Sequence, residues 1–172
     1  MKINLIVGAV VGLLAAGLLF VLHATEVLRT PLGSQLLILT LAFHVTGLIV
    51  ALGFHRHRAK DEGGAPFSRL FGAGLMVSLI VGVILGLGTQ VFVTHVDPTY
   101  LDWVKETSLE QLDQMEEISE EEKARHREQV ERLTLEGYAV ETLKRTLVVG
   151  FFLSLTLAAL FRMRAVQATK TA

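Results

Sequence analysis

Long apolar stretches separated by polar segments dominate this chain. Three uncharged runs are long enough to cross a bilayer, because about 20 helical residues span a hydrocarbon core of about 30 Å; they lie at 3–22, 36–54 and 71–93. A fourth run, 146–161, is shorter and needs the long side chains of Lys144 and Arg145 to reach toward the head groups. We therefore predict an all-α integral membrane four-helix bundle, a single membrane domain over 1–172, with spans at about 3–24, 35–54, 70–95 and 143–162.

Turn-forming residues mark the boundaries of these spans. The segment 30–34, Thr-Pro-Leu-Gly-Ser, predicts a tight turn, with Ser34 as the N-cap of the second helix. A Gly- and Pro-containing break at 63–68 precedes the third helix. The Asp97-Pro98 pair predicts that the third helix ends or kinks there.

The segment between the third and fourth spans, 96–142, is strongly acidic. It holds fourteen acidic and five basic residues, a net charge of −9, whereas the remainder of the chain carries +8. Its apolar residues follow a helical period, and Ser119 with Glu122 forms a capping-box pattern that predicts the start of a helix. We predict an extramembrane acidic helical hairpin, and we interpret its charges as a solvated face rather than an ion site.

The distribution of Lys and Arg predicts the orientation. Basic residues at the end of the second span outnumber the single Arg29 at its start: Arg56, Arg58 and Lys60. The end of the fourth span is likewise more basic than its start. By the positive-inside rule both termini are cytoplasmic, and 96–142 is periplasmic or external.

Small residues recur at every fourth position in the apolar runs. Spacing of four places them on one helix face, where a second backbone can approach closely. The sets are Gly8, Gly12 and Ala16; Gly47 and Ala51; Gly74, Ser78, Gly82 and Gly86; and Gly150, Ser154 and Ala158. We expect these ridges to hold one bundle together; a dimer face or a pore lining is the alternative. Gly88 lies off the ridge, so we expect a large residue to be more harmful at 82 than at 88.

Histidines are the polar residues that attract a functional hypothesis. His44 lies near the middle of the second span, where an ionisable residue is a candidate site. The simpler interpretation is one interhelical hydrogen bond, to Ser78 or Gln90. His23 and His95 lie at the outer ends of the first and third spans, and a metal shared with a nearby carboxylate is the lesser alternative for them.

Composition excludes several classes of function. The chain has no cysteine, which removes disulfides, thiolate metal sites and a cysteine nucleophile, and its net charge of −1 gives no general affinity for nucleic acid. No catalytic motif is present, and no acidic residue lies inside the four predicted spans. We therefore expect a protein that is not an enzyme and that uses no cofactor.

Two short elements carry a resemblance to a known family. Residues 63–74, Gly-Gly-Ala-Pro-Phe-Ser-Arg-Leu-Phe-Gly-Ala-Gly, lead into the third span, and 97–100, Asp-Pro-Thr-Tyr, follow it. This layout resembles the bacterial membrane-protein family named domain of unknown function 4199, although the order here is Phe67-Ser68 rather than Ser-Phe. The resemblance implies a bacterial inner-membrane location; that family has no established activity, so it implies no site residues.

Two hypotheses of function follow from these features. In the first, a non-enzymatic accessory or scaffold subunit of the inner membrane contacts a membrane or periplasmic partner through its acidic hairpin. In the second, a small homo-oligomeric channel or transporter uses polar residues in helices two and three: Thr40, His44, Ser78 and Gln90.

Overall fold

A computed structural model of the chain describes residues 2–59, 64–115 and 118–170, leaving out the side chains of Ser34 and 163–170. Within these ranges the chain is helical and contains no strand. The helices are α1 (Lys2–Ala24), α2 (Pro31–Leu36), α3 (Leu39–Arg58), α4 (Phe67–Val91, continued by a π-helical turn at Phe92–Val96), α5 (Tyr100–Gln114), α6 (Glu120–Glu131) and α7 (Leu135–Lys170). The all-α class predicted from the sequence is confirmed.

Four helices are long and apolar enough to cross a membrane: Lys2–Ala24, Leu39–Arg58, Phe67–Val96 and Leu135–Arg162. The number of spans agrees with the sequence prediction, while two boundaries differ. The second helix was expected from 35 and begins at Leu39; the fourth was expected from 143 and begins at Leu135.

The late start of α3 has a local cause. Thr30 caps a separate short helix, because its hydroxyl accepts a hydrogen bond from the Gly33 amide (3.2 Å) and Pro31 fits the first helical position. Ser34 therefore lies inside α2 and is not the N-cap of the spanning helix, as we predicted. That position is taken by Ile38, which makes no side-chain capping bond.

Helix α4 lies at the centre of the bundle. It packs most extensively against α7 and α1, and it also contacts α3. Val77 and Val81 of α4 are completely buried together with Leu48 and Ala51 of α3. Because α4 touches all three other long helices, their positions depend on its surface.

Small residues of α1 bring its backbone close to α4. A Cβ atom added at Gly8 would lie 2.8 Å from Cβ of Ile80, and one added at Gly12 would lie 2.9 Å from Cβ of Ile84. Real Cβ atoms do not approach so closely, so these two positions accept no side chain without a shift of the helices.

The contact between α4 and α7 is equally tight. A Cβ at Gly74 would lie 2.6 Å from Oγ of Ser154, and one at Gly82 would lie 2.9 Å from Cδ1 of Leu143. The residues that alternate with side chains across this contact thus come from both helices, in antiparallel order.

One expectation about the ridge of α4 is wrong. Gly88 was placed off the packing ridge, yet a Cβ there would lie 2.7 Å from Cβ of Ala16 in α1. Gly82 faces α7 while Gly88 faces α1, so α4 has two close-packed faces, and a large residue is harmful on either.

The segment after α4 contains the predicted break and the predicted cap. The π-helical turn ends at Asp97, and α5 begins at Tyr100 after Pro98. Ser119 caps α6: its hydroxyl accepts from the Glu122 amide (3.3 Å), and the Glu122 carboxylate accepts from the Ser119 amide (3.2 Å), which confirms the capping box.

The α4–α7 contact predicts opposite effects for two Gly→Ala variants. At Gly150 the added Cβ would overlap Cβ and Oγ of Ser78 and lie 3.1 Å from Cε1 of His44, whereas nothing lies within 4 Å of a Cβ at Gly72. We expect Gly150→Ala to lose about 1–3 kcal/mol of stability through overpacking. Gly72→Ala should be neutral or stabilising by up to about 1 kcal/mol, since alanine is the better helix former.

Thermal unfolding in detergent micelles, followed by circular dichroism, measures both variants against the unchanged chain. Equal melting temperatures for the two variants would contradict the close contact at Gly150.

Candidate functional site

Three polar contacts join the long helices at different depths, and the central one involves His44. Nε2 of His44 in α3 lies 2.9 Å from Oγ of Ser78 in α4, and both side chains are buried. Ser78 is one of the two partners expected from the sequence. The other, Gln90, instead donates to Oγ1 of Thr94 one turn along its own chain (3.3 Å). A buried imidazole and hydroxyl satisfy each other in this arrangement.

A cavity of about 220 Å³ adjoins this histidine. It lies where α1, α3, α4 and α7 meet, and its walls are mostly apolar. The residues around it are Ala15, Thr40, Leu41, His44, Val81, Leu85, Arg145, Thr146 and Val149. The hydroxyls of Thr40 and Thr146 donate to backbone carbonyls of their own helices (2.7 and 2.8 Å), which leaves their lone pairs as acceptors. A mainly apolar space with a few polar groups is typical of a small-molecule site.

Ser154 is a buried polar residue of α7 that faces the same contact surface. Its hydroxyl is completely buried and has no hydrogen-bond partner among the described residues. Its size explains its presence: the closest atoms to a Cβ at Gly74 are its Oγ and Cβ, at 2.6 and 2.7 Å, so a larger residue at 154 would push α7 away from α4.

At the N-terminal end of α1, Asn4 links three helices. Its Oδ1 lies 2.9 Å from Nε2 of His55 in α3, and its Nδ2 donates to Sδ of Met76 in α4 (3.9 Å). Asn4 is buried. The sequence analysis missed this residue, although an amide in the first turn of an otherwise apolar helix is the kind of signal that predicts an interhelical hydrogen bond.

At the opposite end of the bundle, Arg29 and Asp97 form an ion pair between the α1–α2 connection and the end of α4. One guanidinium nitrogen, Nη2, lies 2.6 and 2.7 Å from the two carboxylate oxygens, and it also donates to Oγ1 of Thr99 (2.6 Å). Nδ1 of His23 lies 3.5 Å from the same carboxylate. Asp97 is only 6% exposed, so this is a largely buried charge held by a cation.

The electrostatics of Asp97 follow from these neighbours. Burial alone would raise the pKa of its carboxyl. The hydrogen bonds from Arg29 and Thr99, with the positive charge of Arg29 and a smaller contribution from His23, outweigh burial and hold the pKa below its ordinary value. Asp97 is therefore ionised at neutral pH and ties the end of α4 to the end of α1.

A second cavity, of about 280 Å³, opens beside this ion pair. It is lined by His23, Glu26, Leu28, Arg29 and Asp97. Glu26 has a left-handed backbone (φ 59°), which is uncommon for a residue other than glycine. His95, the second histidine considered for a metal, is exposed on the π-helical turn. The described part of the chain holds no group of three His, Asp or Glu side chains placed to bind a metal.

An aromatic cluster packs beneath the ion pair and joins α5 to the bundle. Phe92, completely buried, makes edge-to-face contacts with His23 and Tyr100 at centroid distances of 5.3 Å. Tyr100 also contacts Trp103 and Tyr138, the latter near the start of α7. Burial, followed by the neighbouring Tyr138, raises the pKa of the Tyr100 phenol, which therefore stays neutral.

Sequence reasoning found some members of these sites and missed others. Arg29 was used only as a marker of orientation, and Asp97 only as a helix end. Each of them is a lone charge beside the end of an apolar run, and in retrospect such charges at the same end of two spans predict an ion pair.

Comparison with known proteins gives one match. The family model described as "Protein of unknown function (DUF4199)" matches residues 3–163. No curated protein and no solved structure matches the chain.

The Arg29–Asp97 pair predicts unequal effects for removal of its two partners. Arg29→Gln leaves a buried carboxylate without its cation, and we expect a loss of about 2–3 kcal/mol. Asp97→Asn removes the buried charge and lets Arg29, which is partly exposed, return to water, so it should cost less. Thermal unfolding of both variants in micelles at pH 7 measures the difference.

The pH dependence supplies the control. Because the pKa of Asp97 is lowered in the folded protein, the pair stabilises the fold fully above the unfolded pKa of about 3.9 and loses this effect as the pH falls through the folded-state pKa. The deficit of Arg29→Gln should therefore shrink below about pH 4. A deficit independent of pH would contradict an electrostatic role.

Proposed function

Because this chain belongs to the DUF4199 family of proteins of unknown function, we propose its function from its own residues: a non-enzymatic accessory or scaffold subunit of the bacterial inner membrane. In this proposal both termini are cytoplasmic, and α5 and α6 form an acidic helical hairpin outside the membrane that binds a basic surface of a membrane or periplasmic protein. The four apolar helices support a membrane location. The bias of Lys and Arg toward the predicted cytoplasmic ends supports the orientation.

The observation that carries the proposal is the contrast between the two ends of this segment. At its base, Tyr100 and Leu101 of α5 are buried against the bundle. At its tip, α6 has no buried residue, and it holds twelve residues of almost purely polar sequence. A surface fixed at its base and free of its own core is suited to contact with another molecule rather than to packing within this chain.

The charge pattern supports an acidic contact surface. Basic residues of α6 pair with nearby acidic residues: Lys123 with Glu120 (3.3 Å), Arg125 with Glu121, Arg132 with Glu128 (2.6 Å), and Arg127 with Asp113 of α5 (2.6 Å). The last pair links the two helices and supports their arrangement as a hairpin. Acidic residues exceed basic ones by nine in this part of the chain, so the pairs leave a net negative surface, which attracts a cationic partner.

Neutralising the acidic side chains of α6 tests this function. We expect a variant with Glu120, Glu121, Glu128 and Glu131 changed to Gln to lose a crosslinked partner by about tenfold or more, since complementary charges govern encounter and register. The capping box at Ser119 and Glu122 is left intact, so that α6 still forms. The measurement is quantitative mass spectrometry after crosslinking in intact cells.

A matched variant changes Lys123, Arg125 and Arg132 of the same helix to Gln. It removes a similar number of ion pairs but makes the surface more acidic, so its crosslinking should be unchanged or stronger. Equal loss in both variants would indicate a damaged helix, and unchanged crosslinking in the acidic variant would contradict the proposal.

A second candidate function, a small oligomeric channel or transporter, is favoured by the cavity beside His44. Its polar residues, Thr40, His44 and Thr146, come from two helices and lie within the spanning region. We expect His44→Leu to abolish flux of a small solute or proton across liposomes if this function is correct. Val50→Leu, at an exposed position of the same helix, is the control, and flux that is the same with and without His44 would exclude the cavity as the path.

A further inference from the structure

The first turns of α7 carry charges at a depth where the neighbouring helices are apolar. A Cβ at Gly82 would lie 2.9 Å from Cδ1 of Leu143, and one at Gly86 would lie 3.3 Å from the carbonyl oxygen of Ala139. Residues 139–146 of α7 therefore lie against the middle of α4. The sequence prediction had placed the acidic residues outside the spans, but the fourth candidate span, Leu135–Arg162, includes Glu141.

Helix α1 gives the depth of this region. On its other face, α4 meets Gly8 and Gly12 of α1 through Ile80 and Ile84, on either side of Gly82 along α4. The uncharged run of α1 extends over 3–22. At about 1.5 Å per residue, Gly8 lies about 8 Å from one end of this run and Gly12 about 15 Å from the other. The start of α7 is thus well inside the apolar layer that α1 defines.

The charged side chains at this depth point away from the bundle. Glu141 and Arg145 form an ion pair within α7, with Nε and Oε1 3.2 Å apart, and their side chains are 40% and 77% exposed. Lys144 is exposed beside them. An ion pair facing hydrocarbon is strongly unfavourable, because neither group keeps its hydration and the low dielectric favours a polar partner.

Apolar residues continue the same helix face. Val148 and Phe152 are 57% and 61% exposed. With Glu141, Arg145 and Leu155 they alternate at spacings of four and three, which places all five on one stripe of the helix. The stripe lies opposite the residues that face α4, among them Gly150 and Ser154.

We propose that this stripe of α7 is an interface with a second copy of the chain. Two copies in the same membrane have the same orientation, so a two-fold axis along the membrane normal sets α7 beside the partner's α7 in parallel. The stripe is complementary to itself in charge, since Arg145 side chains point toward the N-terminal end of the helix and reach the level of Glu141. Two carboxylates and two guanidinium groups then form one neutral cluster, covered by protein rather than by lipid, with Val148 and Phe152 packed below it.

Charge-reversed chains test the pairing directly. Glu141→Arg makes the charged part of the stripe wholly positive, and Arg145→Glu leaves two carboxylates beside Lys144. We expect the full-length chain to be dimeric in lipid nanodiscs or at low density in bilayers, and each variant alone to lose at least about tenfold in dimer fraction. Chains of the two variants carrying different tags, when co-expressed, should form heterodimers at the wild-type level.

The heterodimer separates association from folding. Each variant loses the ion pair within its own helix, so a folding defect would reduce both homodimers and heterodimers, and circular dichroism would report it. Recovery of association only in the mixture requires contact between Arg at 141 or 145 of one copy and Glu of the other. A monomeric unchanged chain, or variants that associate as well as it does, would overturn the proposal and leave lipid head groups or water as the cover for these charges.

Single-cysteine crosslinking gives a second, independent readout, because the chain has no native cysteine. In native membranes under mild copper-phenanthroline oxidation, Val148→Cys should form a disulfide-linked dimer in high yield. Val50→Cys on α3 and Leu79→Cys on α4 are controls, since these residues are about as exposed but lie on other helices. Equal yields at all three positions would indicate random collision and overturn the interface.

Discussion

The bundle depends on how closely α4 can approach its neighbours. In a bilayer the surrounding lipid is as apolar as the helices, so burial of hydrocarbon does not drive their association, and van der Waals contact must do so. Helix α4 meets this requirement on two faces: Gly74 and Gly82 admit α7, and Gly88 admits α1. A helix with one such face joins a pair, whereas a helix with two can be the centre of a bundle.

The close contacts also decide where polar groups can meet. His44 reaches Ser78 because Gly150 leaves room for both, with Cε1 of the imidazole 3.1 Å from the place that a Cβ would take. Asn4 and His55 meet at one end of the bundle, and Arg29 and Asp97 meet at the other. Apolar ridges tolerate sliding by a turn, but hydrogen bonds at three depths do not, so the polar pairs fix the vertical register that the small residues allow.

The sequence was sufficient for properties that depend on one helix at a time. The number of spans follows from hydropathy, and the cap at Ser119 follows from a local pattern of two residues. Properties that depend on two helices were predicted less well. Gly88 was misplaced because a period of four describes one face, and nothing in the period reveals that a second face is also packed.

The boundaries of the second and fourth helices show the same limit. Thr30 competes with Ser34 as a cap, and the two residues are equivalent in type; only the position of the chain between α1 and α3 selects Thr30. The start at Leu135 is hidden because residues 135–145 are too polar to read as membrane-spanning, yet they continue α7 along the middle of α4. The partner of His44 was narrowed to two residues, since depth can be estimated from sequence but rotation about the helix axis cannot.

The same tertiary contacts connect the outer segment to the centre of the bundle. The π-helical turn at the end of α4 leads directly to Asp97, and Arg29 and the aromatic ring of Tyr100 hold this junction against the end of α1. Tyr138 brings the start of α7 to the same cluster. Helix α5 is therefore attached to the three helices that pack most closely, and not merely tethered to them by a loop. A molecule that binds α5 or α6 acts on the end of α4, and through its two glycine faces on α1 and α7, so the acidic surface and the membrane bundle respond as one mechanical unit.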